Sequence, residues 1–167
     1  MIKNLIQDIN LCGYTFEFIA KIMLRRAHKN NFIFMLCQFD SFDEILKKYR
    51  FDHKKIQKLV KYFKHHKCRC DIVEFKLNNT TERIILDVSF YEIKTKRQNT
   101  LRKKFDLCES NKKFLDKMTD SRYNCYIISV KLLKDWTFSI ETLNYNPDDF
   151  RTYNSVITHS RKNKIPT

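Results

Sequence analysis

The run Arg83-Ile-Ile-Leu-Asp-Val-Ser-Phe-Tyr-Glu-Ile-Lys-Thr-Lys-Arg97 constrains the fold most. Its β-branched and apolar residues suit a buried strand, yet Glu92 and Lys94 stand near its end. Residues two apart in a strand share a face. A carboxylate and an ammonium projecting together from such a strand are costly for folding, and that cost points to a site. A second apolar run, Asp71-Ile-Val-Glu-Phe-Lys-Leu77, precedes it across the polar stretch Asn78-Asn-Thr-Thr81, so strands over 70–77 and 83–95 are predicted as an antiparallel hairpin. A turn near residue 80 makes partner numbers sum to roughly 160, which sets Asp71 opposite about residue 89. A modest register shift or bulge would bring Asp71 level with Glu92. Asp87, five residues from Glu92, points to the other face about 16 Å away at ~3.3 Å per residue and cannot readily share a metal with it.

Helical spacing of Ile2, Leu5, Ile6, Ile9, Phe16, Ala20 and Leu24 predicts one long or two consecutive helices over about 3–27, with Gly13 a break or a close packing point. Phe32 to Leu36 fits either a strand or a buried helix. Ser41 followed by Glu44 has the capping-box pattern for a helix through Tyr49, and Asp52 is a cap for a second helix through about Lys64. A helix over 98–118 is predicted from Leu101, Phe105, Cys108, Leu115 and Met118, followed by strands over 126–133 and 137–143. This order suits an α/β sandwich with a central mixed sheet flanked by helices and a helical insert at about 36–66 before the hairpin. One domain over 1–145 is expected, with a polar, basic, partly mobile tail over 146–167.

The chain has 167 residues and 43% hydrophobic content, enough for a core. It contains one Gly and two Pro, so no flexible linker divides it. A net charge of +14 favours a polyanionic partner, nucleic acid first, with basic clusters at Lys61–Arg69, Lys94–Arg97 and Arg102–Lys104. No apolar run is long enough to span a membrane, and Met1–Asn10 is not signal-like, so an intracellular protein of the cytoplasm, nucleoid or nucleus is expected. Six scattered cysteines are expected to be reduced. The stretch His65-His-Lys-Cys-Arg-Cys70 groups metal donors, but lacks the second ligand pair of the usual structural zinc site and reads better as a basic turn.

Phosphodiester hydrolysis requires an activated water and neutralised charge at phosphorus, which a divalent cation on carboxylates supplies. Asp71 and Glu92 are the candidate ligands, the Ile93 carbonyl a third, and Lys94 the group that orients water or steadies developing charge. Read alone, the Glu-x-Lys triplet better suits an exposed salt bridge, with Asp71 an ordinary strand-start residue; the apolar strand before it, the Asp-headed strand upstream and the basic helix after it point instead to a site.

The ordered motifs Cys-Asp71-Ile-Val-Glu-Phe and Phe-Tyr-Glu92-Ile-Lys94-Thr-Lys resemble the PD-(D/E)XK nuclease superfamily, most closely its small archaeal Holliday-junction-resolvase type. The segment Gly13-Tyr-Thr-Phe-Glu17-Phe-Ile-Ala20 is similar to the helix motif of those proteins, and the resemblance spans roughly residues 13–133. It implies a restriction-endonuclease-like fold and Mg²⁺-dependent cleavage of DNA, branched DNA of recombination and repair included, with Mn²⁺ as a substitute. It also implies that Glu17 joins the metal shell, that Gln98 assists, that Lys96, Arg97, Arg102, Lys103 and Lys104 contact nucleic acid, and that the protein is a homodimer. Cys70 stands where the motif has proline, and 20 residues separate Asp71 from Glu92, a longer hairpin than in compact relatives. The alternatives are a non-catalytic nucleic-acid-binding module of the same fold and an RNA-processing nuclease.

Overall fold

The predicted hairpin is present in a computed structural model that describes residues 9–79, 81–97, 105–132 and 138–153. Strand β2 (Ile72–Leu77) pairs antiparallel with β3 (Ile85–Arg97), and together they form the middle of a five-stranded sheet. Helix α1 (Ile9–Ala27) runs through Gly13 without a break and leads into β1 (Phe32–Met35), which pairs with β2 at one sheet edge. Between β1 and β2 lie α2 (Phe42–Lys48) and α3 (Gln57–Phe63), in the region expected for the helical insert. After β3 come β4 (Phe105–Cys108), α4 (Glu109–Asp120), β5 (Asn124–Leu132), β6 (Phe138–Asn144) and β7 (Phe150–Tyr153).

The sheet order is β1-β2-β3-β5-β6, with β3 and β5 parallel and the other neighbours antiparallel. A parallel neighbour requires a crossover, and α4 lies on it. The architecture is thus α/β: an open mixed sheet with helices on both faces. On one face Ala20 and Leu24 of α1 pack on Ile33, Ile72, Tyr91 and Ile128. Their spacing of four puts them on one stripe of the helix. On the other face α2, α3 and α4 bury Ile45, Leu59 and Leu115 against Phe75, Val88 and Phe90.

Ser41 caps α2 by accepting the Glu44 N–H at 3.2 Å, while the Glu44 carboxylate accepts from Asp40 N at 2.8 Å, one residue before the capping-box partner. Asp52 accepts the Lys54 N–H at 3.0 Å, which starts the 3-10 turn leading into α3. Phe75 is fully buried, with the rings of Phe34, Phe42 and Phe51 at 5.6, 5.5 and 5.4 Å. Replacing Phe75 by Ala is expected to cost about 3–5 kcal/mol, since the cavity cannot close among interlocked rings. The check is a urea titration, whose midpoint should fall with an unchanged slope.

Two predicted segments differ. The helix expected over 98–118 begins at Glu109, after β4; residues 98–104 lie outside those described. Leu107 is fully buried while Asp106 is exposed, a two-residue alternation that places 105–108 in a strand. The helical face proper starts with Phe114, Leu115 and Met118. Of the tail expected over 146–167, residues 147–153 carry a 3-10 turn, Pro147–Asp149, and then β7, which pairs with β4 and buries Phe150 against Tyr145 at 5.2 Å; residues 154–167 lie outside those described.

The register of the central hairpin decides what meets at its end. Ile72 pairs with Tyr91 and Val73 with Phe90, so partner numbers sum to 163, and continuing that ladder by one step sets Asp71 level with Glu92. The Asp71 N–H donates to the Tyr91 carbonyl at 3.0 Å. The displacement from a simple turn is taken up by a bulge: Lys76 faces Asp87 but Leu77 faces Ile85, which leaves Leu86 as the extra residue, 39% exposed. Across it the inward parity switches from Ile85 to Val88 and Phe90, all fully buried in one core.

Candidate active site

Three elements converge where β2 begins and β3 nears its end. Asp71 accepts the Ile93 N–H at 2.6 Å through Oδ2, which ties its carboxylate to the neighbouring strand. Glu92 is 1% exposed, inside the face that carries Phe90, and one of its oxygens accepts from Lys94 Nζ at 2.7 Å and from Asn111 Nδ2 at 3.1 Å. Its other oxygen, Oε2, is buried without a hydrogen-bond partner. A buried carboxylate oxygen left unpaired is costly and calls for an explanation. Ser129 Oγ, level with Lys94 on β5, is likewise buried without a partner.

Glu17 reaches the same place from α1. Cys37 Sγ donates to Glu17 Oε2 at 3.5 Å, and both residues line a cleft of about 310 Å³ with Cys68, Arg69, Asp71 and Asn111. Helix α1 packs on the sheet through Ala20 and Leu24, and the chain just after it is tied down by the buried Glu74, which accepts from His28 Nδ1 and Asn31 Nδ2, both at 2.6 Å, and from the Tyr91 hydroxyl. Burial and this carboxylate push the Tyr91 hydroxyl well above its usual range, so Tyr91 stays a donor. Glu17 therefore stands on a helix clamped to β2 and β3.

The electrostatics reveal crowding of negative charge. Burial, and then the Glu92 charge, push Asp71 up to about 7, against the opposing pull of the Ile93 N–H and Lys94. Glu17 is also raised, first by burial and then, after the partial relief of the Cys37 thiol, by Glu92. Cys37 is pushed up to about 11 by burial and by Glu17. Like carboxylates crowded in a low-dielectric site disfavour one another's ionisation, and a cation reverses that logic.

The donor set is oxygen-rich and hard, as Mg²⁺ prefers. Among the described residues no three His, Cys, Asp or Glu side chains form a ready metal cage. Mg²⁺ is commonly held by one or two carboxylates, water and substrate oxygen completing its shell, and Asp71 with the unpaired oxygen of Glu92 meets that requirement. Ile93 contributes its N–H to Asp71, a contact the sequence reading did not foresee.

Glu17, Asp71, Glu92 and Lys94 are therefore gathered at one end of the sheet. Gln98, Arg102, Lys103 and Lys104 lie outside the described residues, as do the side chains of Lys96 and Arg97, although the backbone of those two continues β3. The sequence reading missed Asn111. It sits in the first turns of α4, and a helix assumed to start near 98 gave no reason to single it out. Of the donors grouped at 65–70, His66 stacks on Tyr62 at 4.3 Å, whereas Cys68 and Cys70 place their sulfurs 3.6 Å apart.

No helix among the described residues is long and apolar enough to cross a membrane. No protein-family model matches the chain, and no curated protein matches it.

Proposed function

We propose that this protein is a Mg²⁺-dependent endonuclease with a restriction-endonuclease-like fold of the PD-(D/E)XK type, hydrolysing phosphodiester bonds in DNA, with branched DNA among its substrates. The observation that carries this reading is the buried Glu92, with one oxygen on Lys94 and Asn111 and the other unpaired, level with an Asp71 whose charge it disfavours. A scaffold gains nothing from that arrangement, whereas a cation site does. Asp71 and Glu92 would hold the metal with the Ile93 carbonyl, and Glu17 directly or through water. Once bound, the ion would supply Lewis acidity and a more acidic water.

The protein's own groups have separable tasks. The Ile93 N–H fixes the Asp71 carboxylate, and Asn111 fixes Glu92. Lys94, whose side chain is 20% exposed beside Glu92, would orient water or steady charge on a phosphoryl oxygen. Arg69 lines the cleft, and Lys61, Lys64 and Lys67 lie exposed just before it in sequence, suited to a phosphate backbone.

The test is cleavage of a labelled panel comprising a four-way junction, a flap, duplex, single-stranded DNA and RNA, with Mg²⁺ or Mn²⁺ and with EDTA. Metal-dependent cutting of a DNA member, with binding that weakens steeply as salt rises, is expected. Cutting of RNA alone transfers the assignment to an RNA-processing nuclease. Tight binding without cutting under either metal transfers it to a binding module.

A further inference from the structure

We propose that Cys68 and Cys70 form an oxidisable dithiol that closes to a disulfide and disables the adjacent carboxylate site. Their sulfurs lie 3.6 Å apart, Cys68 half-buried and Cys70 buried, and both line the cleft shared by Glu17 and Asp71. Cys70 directly precedes Asp71, and its thiol donates to the Ile72 carbonyl at 3.4 Å. Cys37 Sγ is engaged with Glu17, and the Cys125 thiol donates to the Leu115 carbonyl.

The reaction needs a small-molecule disulfide such as oxidised glutathione. Cys68, the more accessible thiol, attacks it to form a mixed disulfide and releases one reduced thiol. Cys70 then attacks the Cys68 sulfur and releases the second, so two electrons pass from the cysteine pair to the oxidant. Closure shortens the sulfur separation by roughly 1.5 Å, to the covalent ~2.05 Å. Closing so small a ring between residues two apart in sequence bends the backbone at Arg69, two residues before Asp71. That bend acts on Asp71, whose position depends on the Asp71 N–H to Tyr91 O bond of 3.0 Å, the Leu36 N–H to Asp71 O bond of 2.9 Å, and the Ile93 N–H.

The loss of cleavage rests on the nuclease reading; disulfide formation and displacement of Asp71 do not. The full chain is incubated across ratios of oxidised to reduced glutathione, then examined by peptide mass mapping, by hydrogen exchange of the Ile93 amide, and by cleavage assay. Expected are a sulfur link between Cys68 and Cys70, Ile93 exchange at least tenfold faster, and at least tenfold less cleavage, all reversed by dithiothreitol and all absent in Cys68→Ser. Free thiols at both positions after oxidation, or a linked pair with unchanged Ile93 exchange, would overturn the proposal. A reduced protein that cuts nothing would remove the nuclease reading, while mass and exchange still decide this one.

Discussion

Exchange of Glu92 for alanine is expected to lower the proposed metal-dependent cleavage by roughly 10³-fold or more, because it would remove the proposed ligand oxygen and the partner of Lys94 in one step. Binding of the same nucleic acid in Ca²⁺ or EDTA should change less than about threefold, since in the proposed reading phosphate contacts by surface cations would carry that affinity. Folding should survive. The substitution deletes a buried carboxylate with an unpaired oxygen, and Lys94 can turn toward solvent. Glu92→Gln tests the same point with volume preserved: it keeps a carbonyl for Lys94 and Asn111 but loses the charge. Full activity in either variant would place the chemistry elsewhere.

Exchange of Asp71 for asparagine is expected to stabilise the metal-free protein at pH 8 while removing its thermal response to Mg²⁺. Asp71 is raised from 3.8 to about 7, so the folded chain holds this proton more tightly than the unfolded chain does. Its contribution to stability is full below the unfolded value and is lost as pH rises through about 7. Above that, the ionised carboxylate costs on the order of 1–4 kcal/mol, part of it shared with Glu92. Asparagine still offers a carbonyl to the Ile93 N–H and carries no charge. A rise in Tm of roughly 2–4 °C for each kcal/mol relieved at pH 8, shrinking toward zero near pH 4, is the expected scan. Wild type should gain stability on adding Mg²⁺ and the variant much less. A variant less stable than wild type at pH 8 would show that the Asp71 charge supports the fold instead of opposing it.

The hairpin and the Glu92–Lys94 pair were legible because both are local patterns: alternation, a polar turn, and two charges two residues apart. The bulge was legible only as a need, since the simple turn left Asp71 short of Glu92. Its signature was nevertheless present in the shift of inward parity between Ile85 and Val88. Glu74 gave no signal, because an acidic residue within a strand reads as a solvent-facing position. Its burial is explained by partners distant in the chain, His28 and Asn31 more than 40 residues away and the Tyr91 hydroxyl on the neighbouring strand. Asn111 escaped for a related reason. Phe105, Cys108, Leu115 and Met118 fit a helical period even though the first two belong to a strand, and tertiary pairing with β7 decided the matter.

The bulge at Leu86 also acts as a slip joint between two halves of one hairpin. Beyond it the strand is anchored to the insert, with Asp52 bonded to Arg83 and Ile85 at 3.0 and 2.9 Å; before it, the ladder leading to Asp71 and Glu92 keeps its own count. One residue gained or lost toward the tip can be absorbed at the joint by forming or erasing a bulge. The number of residues between the two carboxylates is thus free to drift, odd steps included, while their partnership across the strands stays put. A signature written as a fixed spacing would pass over chains that build the same pair.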